Sequence, residues 1–136
     1  MFILRDMVEK EGIADWFQID AAATSTEELG NPVYPPAFRT LSEHGINASG
    51  HRAHQLSAKE YREYDYVIAM DQWNLRNIER IAGKDKEGRL SLLLDHTDRP
   101  GEVDDPWYTR DFDTAYEEIT RGCEGLLREI RRTYGI

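Results

Sequence analysis

An acidic residue stands directly before a proline and two large aromatic residues near the C-terminus, in the stretch VDDPWYTRDF. These residues are Asp105, Pro106, Trp107 and Tyr108. A carboxyl group fixed ahead of a proline and beside two rings is typical of a proton donor at the edge of an aromatic slot. A proton donor works together with a nucleophile, and the most reactive type of nucleophile in proteins occurs once in this chain, as Cys123.

Cys123 lies among apolar residues at helical spacing, which favours a buried structural thiol over a reactive one. A single cysteine excludes an intramolecular disulfide and fits a reducing compartment, so we expect a cytoplasmic protein. His51 and His54 have the i, i+3 spacing of a metal pair, but no further ligand stands at a recognisable spacing from them. The sequence therefore predicts no metal site and no cofactor.

The composition is that of one ordinary globular domain spanning residues 1–136, with 40% apolar and 32% charged residues. Seventeen basic side chains against twenty-six acidic ones give a net charge of −9. Because nucleic-acid binding and binding to anionic membranes both need a basic surface, this charge argues against both kinds of partner.

Apolar periodicity predicts strands that alternate with helices. The predicted strands cover 16–23, 66–70 and 90–94, and the predicted helices cover 2–11, 37–44, 57–64 and 112–134. The fourth predicted helix in chain order is capped by Asp71 and contains Trp73, Ile78 and Ile81. This order predicts a parallel sheet in a three-layer α/β/α domain. Residues 21–25, Asp71 and the loop containing Asp105 all follow predicted strands, at the edge of such a sheet where ligands bind.

Two of the predicted helices carry specific burial predictions. Trp73, Ile78 and Ile81 are expected to be available for burial in the fourth helix. The last helix has apolar residues at helical spacing along its whole length, which predicts one buried face: Phe112, Tyr116, Ile119, Cys123, Leu126, Leu127, Ile130 and Tyr134.

Six short motifs occur in an order and at spacings that resemble one family. They are DAAATS (20–25), GNP (30–32), EHGI (43–46), SGHRAHQL (49–56), AMDQWNLR (69–76) and DPWY (105–108). The chain resembles the low-molecular-weight protein tyrosine phosphatases, especially bacterial ones, from residue 2 to its end. Arsenate reductases that are coupled to thioredoxin share the fold and are an alternative, but the DPWY motif favours the phosphatases.

The resemblance implies hydrolysis of phosphotyrosine through a phosphocysteine intermediate, without a metal or cofactor. In the family the nucleophile lies in a C-x5-R-S/T loop whose backbone N–H groups and arginine hold the phosphate. Asp105 matches the acid that protonates the leaving phenolate and later activates water. Trp107 and Tyr108 match the aromatic wall of the substrate slot, and Tyr108 also matches a position that can be phosphorylated.

The resemblance also implies supporting roles around the phosphate loop. Asp71 matches an aspartate that holds the loop, and it is also placed to cap the helix that follows it. His51 matches a structural histidine that pairs with Asp20, and Ser25 belongs to the same supporting group.

One departure from the family pattern is large: the sequence has no C-x5-R loop. Arg128 follows Cys123 one residue too closely, and Met1 to Ile3 align with the middle of the family's first helix. In the family strand order 2-1-3-4, the first strand is an interior one, and this chain lacks it. We therefore expect a domain that is incomplete at its N-terminus and inactive as it stands.

An absent interior strand would leave two other strands without their shared partner. The strand at 17–21 and the strand at 66–70 would pair directly, a second chain would fill the gap, or the chain would be unstable. The sequence analysis favours self-association through the exposed sheet edge. A non-catalytic binding module, a pseudophosphatase, is the alternative to an enzyme.

Overall fold

The computed structural model describes residues 1–24 and 30–136, apart from the side chain of Trp107. Along the chain, the elements are α1 (Phe2–Lys10), α2 (Pro35–Glu43), α3 (Ala58–Glu63), β1 (Val67–Ala69), α4 (Gln72–Ala82), β2 (Leu90–Leu92), α5 (Pro106–Thr109) and α6 (Phe112–Tyr134). Two short 3-10 helices lie at Ala14–Trp16 and Leu93–His96. Within these described residues, no helix is both long enough and apolar enough to cross a membrane.

The sheet is parallel, and it confirms the predicted α/β class. β1 pairs with β2 in a register that places Val67 opposite Leu90 and Ala69 opposite Leu92. Both strands are shorter than predicted, and β2 ends at Leu92 because the chain turns into a 3-10 helix directly after it.

The predicted strand at 16–23 is wrong for the described part of the chain. A 3-10 helix occupies Ala14–Trp16, and the following residues form no ladder. Ala23 alone makes a parallel bridge, with Gln55. The segment 17–21 does not pair with β1, so direct closure of the two strands is also wrong. An isolated extended segment gains strand geometry only from a neighbouring ladder, and this one has none in the described structure.

The helix ends follow local sequence signals. α1 stops before Gly12, whose φ of +72° is a conformation that glycine adopts without steric cost. α2 starts at Pro35, two residues earlier than predicted, because proline suits the first turn of a helix. The capping box predicted at the start of α3 is present, with Ser57 and Glu60 each bonding the backbone of the other.

The long helix α6 carries the centre of the core. Cys123, Leu126 and Ile130 pack with Ile3, Ile46 and Leu93. A second apolar cluster joins the sheet to α3 and α4: Tyr61, Ala69, Ile78 and Leu92. The predicted apolar face of α6 is thus confirmed over most of its length.

Two aromatic residues are more exposed than predicted. Trp73 is 63% exposed, because it lies five positions from Ile78 and therefore on another face of α4. Tyr134 is 55% exposed in the last turn of α6. The ion pair between Glu11, which directly follows α1, and Arg131 lies three positions before Tyr134, at 3.1 Å.

Two glycines let α6 approach the segment after β2 closely. A Cβ atom on Gly125 would lie 1.9 Å from the backbone oxygen of His96. A Cβ atom on Gly122 would lie 2.4 Å from Cγ of Leu93, which is a side-chain atom. The helix therefore packs directly against the backbone of the 3-10 segment.

A hydrogen-bonded relay fastens the same contact. The Ser91 hydroxyl lies 2.8 Å from Nε2 of His96, and Nδ1 of His96 lies 2.6 Å from a carboxylate oxygen of Glu129. The relay joins β2, the 3-10 helix and α6 through one imidazole ring.

Candidate active site

The loop that carries Asp105 is attached to the carboxyl end of β1. The backbone N–H of Val103 donates to the carbonyl of Met70 at 2.9 Å. The N–H of Gln72 donates to the carboxylate of Glu102 at 2.8 Å. These two bonds place the loop at the sheet edge where the sequence predicts function.

Asp105 stands at the start of α5 and is exposed. Its carbonyl accepts hydrogen bonds from the N–H groups of Tyr108 and Thr109, at 3.0 and 3.2 Å. These bonds fix the backbone of Asp105 on the first turn of the short helix, so its position is set by Pro106 and the residues that follow it.

The structure describes the side chain of Tyr108 but not that of Trp107, the other aromatic residue of the motif. Tyr108 is 82% exposed, which leaves its ring open to a ligand and its hydroxyl open to modification. The side chain of Trp107 lies outside the described part, so its role as slot wall stays a prediction.

Asp71 caps α4, as the sequence predicts. Its side chain accepts a hydrogen bond from the N–H of Asn74 at 2.8 Å. The side chain of Asn74 in turn accepts from the N–H of Met70 at 3.4 Å. Asp71 therefore stands at the mouth of β1, directly beside the attachment of the Asp105 loop. Its role in holding a phosphate loop remains a prediction.

Among the described residues, His51 and Asp20 make no direct hydrogen bond or ion pair, so their predicted pairing stays a prediction. Asp20 instead lies 3.9 Å from Nε2 of His54. The ring of His51 meets the ring of Phe2 edge to face, with centroids 5.7 Å apart. Burial lowers the pKa of His51, and the negative charge of Asp20 acts in the opposite direction without overcoming it. His51 thus packs against α1 through its ring while the charge of Asp20 still acts on it.

Ser25 lies outside the described residues, so its predicted supporting role is untested. Of the DAAATS motif, the structure describes Asp20 to Thr24. Ala23 fixes this segment, because its N–H donates to the carbonyl of His54 at 2.7 Å and its carbonyl accepts from Leu56 at 2.8 Å.

A contact that the sequence reasoning missed joins the GNP turn to the DPWY loop. Arg110 donates to the hydroxyl of Tyr34 at 3.0 Å, and the rings of Tyr34 and Phe112 lie 6.0 Å apart. Arg110 has a φ of +62°, which is uncommon for a residue with a side chain. Residues 76 positions apart give no local signal, so spacing alone did not reveal this contact.

Cys123 has the structural role that its position predicts. It is 4% exposed and belongs to the core around α6. Burial raises the pKa of its thiol to about 11, so the thiol is protonated near neutral pH. A protonated, enclosed thiol is not a nucleophile.

The described residues thus supply a carboxyl group and an exposed ring at one edge of a parallel sheet, with a capping aspartate beside them. This arrangement can donate a proton to a leaving group and stack an aromatic substrate.

Known proteins resemble this chain in sequence and in fold. The sequence profile of the family described as "Low molecular weight phosphotyrosine protein phosphatase" matches residues 2–134. The chain is 32% identical to the low molecular weight protein-tyrosine-phosphatase YfkJ of Bacillus subtilis, over 96% of this chain and 85% of that protein. It is 32% identical to the low molecular weight phosphotyrosine protein phosphatase of Gallus gallus, over 93% of this chain and 83% of that one.

The crystal structure of YfkJ superposes with a TM-score of 0.93 at 31% identity, covering 97% of this chain and 84% of that chain. The low molecular weight protein tyrosine phosphatase of Streptococcus pyogenes superposes with a TM-score of 0.82 at 29% identity, covering 94% and 80%. With a matching family profile and relatives of this similarity, the chain belongs to the low molecular weight phosphotyrosine protein phosphatase family.

Proposed function

We propose that the chain provides the acid–base and substrate-binding half of a phosphotyrosine phosphatase site, and that it does not turn over substrate as it stands. The observation that carries the proposal is the attachment of the Asp105 loop to the end of β1, through the Val103–Met70 hydrogen bond of 2.9 Å. This attachment supports the proposal, because it holds the loop of Asp105 at the carboxyl end of β1, where a phosphate loop would have to meet the acid.

In this mechanism, Asp105 protonates the phenolate oxygen as its bond to phosphorus breaks. The same carboxylate then removes a proton from the water that hydrolyses the phosphocysteine intermediate. Tyr108 and Trp107 hold the substrate ring, and the substrates are phosphotyrosine proteins. The nucleophile and the phosphate-binding arginine have to come from a C-x5-R loop, and the 136-residue sequence contains none.

Two measurements test this proposal. The first is an assay of the 136-residue chain with p-nitrophenyl phosphate, in which we expect no turnover above the buffer rate. Turnover that the substitution D105N abolishes would refute the claim of inactivity.

The second measurement uses the upstream DNA. If the upstream DNA encodes, in the same reading frame, a strand followed by a C-x5-R loop, a chain extended by these residues can be assayed. In that chain we expect D105N to lower kcat by roughly 10²- to 10⁴-fold, the usual contribution of a general acid. The neighbouring substitution D104N is the matched control and leaves kcat near that of the unsubstituted chain. Equal losses from the two substitutions would contradict the role of Asp105.

Self-association is a second candidate function, favoured by one observation. β1 pairs with β2 and with no other strand among residues 1–24 and 30–136. An open strand edge is a template for a further strand, here that of a second copy. Light scattering at high protein concentration tests this, since a monomer at every concentration would exclude it. Stable dimers without phosphatase activity, together with unrelated upstream DNA, would favour a non-catalytic module. The single cysteine fits a reducing, cytoplasmic setting for either function.

A further inference from the structure

Three side chains from separate parts of the chain meet beside the segment that leads to Ala23. Nε2 of His54 lies 3.0 Å from Oε2 of Glu60 and 3.9 Å from Oδ2 of Asp20. The three ligand-type atoms all lie within 4.8 Å of one another. We propose that Asp20, His54 and Glu60 bind one divalent transition-metal ion of the zinc class.

The spacing of the three atoms suits a tetrahedral ion. Bonds of about 2.0–2.2 Å at tetrahedral angles put neighbouring ligand atoms about 3.4 Å apart. The two measured separations, 3.0 and 3.9 Å, lie on either side of that value. The third separation, between the carboxylate oxygens of Asp20 and Glu60, is at most 4.8 Å, so side-chain rotations have to bring these oxygens together around the ion.

Each carboxylate has one oxygen occupied and the other directed at the imidazole. Oδ1 of Asp20 accepts the N–H of Ala21 at 2.8 Å. Oε1 of Glu60 accepts the N–H of Ser57 at 3.4 Å, as part of the capping box. Bonds of this kind orient metal ligands in known sites, because they limit the directions in which the free oxygen can point.

The donor set indicates the kind of ion. One imidazole with two carboxylates suits zinc, cobalt or manganese, whereas magnesium and calcium prefer oxygen ligands alone. A carboxylate only accepts, so Nε2 of His54 carries the hydrogen that faces Glu60. For Nε2 to bind the ion, the neutral ring has to take the other tautomer, with its hydrogen on Nδ1. The side chains of Asp20, His54 and Glu60 are 41%, 39% and 27% exposed, which gives the ion access and leaves one position for water.

The ion would fasten a segment that no ladder holds. Asp20 lies in the stretch where the predicted strand does not form, whereas Glu60 lies on α3 and is fixed by the capping box. A shared ion therefore ties residues 17–23 to α3. This role does not depend on phosphatase activity, so it stands or falls separately from the proposed function.

The test titrates the full chain with Co²⁺, followed by its visible ligand-field absorption, and with Zn²⁺ by calorimetry. The variants are E60Q and H54Q, with E63Q as the matched control. Glutamine at position 60 preserves the capping box, so E60Q removes a ligand charge without removing the helix cap. Glu63 lies on the same helix and is exposed, where it pairs with Lys59 at 3.9 Å.

We expect one ion per chain, with the affinity lowered by about tenfold or more in E60Q and in H54Q but unchanged in E63Q. Zn²⁺ should also raise the melting temperature of the unsubstituted chain and of E63Q but not that of E60Q. Unfolding of the metal-free proteins shows whether each variant is folded. The absence of saturable binding at millimolar Zn²⁺ would overturn the proposal, as would equal affinity in the unsubstituted chain and both ligand variants.

Discussion

The contact of Gly125 with the backbone of His96 predicts a large effect from the smallest possible substitution. Gly125→Ala adds one methyl group at a point 1.9 Å from the His96 carbonyl oxygen, about 1.5 Å inside ordinary van der Waals contact. A backbone atom cannot rotate away, so α6 has to move from the 3-10 helix. Overpacking of this kind costs about 3 kcal/mol or more.

Alanine also favours the helix over glycine by about 1 kcal/mol. The net expectation for Gly125→Ala is therefore a loss of about 2 kcal/mol in the free energy of unfolding. Urea unfolding followed by circular dichroism measures it. Gly122→Ala is a graded comparison, because its added methyl group meets the side chain of Leu93, which can move.

Glu124→Ala is the neutral control, since Glu124 is exposed on the same helix. We expect it to change stability by less than about 0.5 kcal/mol. A Gly125→Ala protein as stable as the unsubstituted chain would refute the reasoning, since the close approach of helix and backbone would then not exist.

Two further predictions concern ionisation. Burial, together with a hydrogen bond to Asp85, raises the pKa of Tyr61 to about 12 from its ordinary value of 10.0. The neutral phenol therefore stabilises the folded protein fully below about pH 10, and this contribution to the free energy of unfolding is lost as the pH rises towards 12. Between pH 10 and 12, urea unfolding should show that the unsubstituted chain loses about 2 kcal/mol more of its free energy of unfolding than Tyr61→Phe does. The control Tyr108→Phe removes an exposed hydroxyl and should show the same alkaline loss as the unsubstituted chain. Parallel curves of stability against pH for the unsubstituted chain and Tyr61→Phe would count against the prediction. The Cys123 thiol should react with a disulfide reagent at about pH 8 at least a hundredfold more slowly in the folded chain than in guanidinium chloride, and equal rates would show that Cys123 is accessible.

The sequence predicted the elements whose signals are local. The capping box at Ser57, the cap at Asp71 and the apolar face of α6 depend on residues within a few positions of one another, and each appears in the structure. The strand predicted at 16–23 does not form, and its absence could not be foreseen from local signals, because a strand forms only when a neighbour supplies the hydrogen bonds.

The candidate site shows the same limit. The position of Asp105 follows from a motif and from the order of strands, and both can be seen in the sequence. The pairing of His54 with Asp20 and Glu60 depends on which of two histidines faces the carboxylates, and His51 is turned towards Phe2 instead. The contact of Arg110 with Tyr34 likewise joins distant residues, and one sequence offers no information about such pairs.

The imidazole between Ser91 and Glu129 has a defined tautomer. A carboxylate can only accept, so Nδ1 of His96 carries the hydrogen and Nε2 accepts the hydroxyl hydrogen of Ser91. If the ring gains a proton, the hydroxyl of Ser91 has to rotate and accept instead. The nitrogen chemical shifts of His96 therefore make it a natural probe in magnetic resonance spectra, because they change if α6 separates from the sheet or if the ring is charged. In a chain with all four histidines labelled, the signals of His96 then report whether the C-terminal helix is docked.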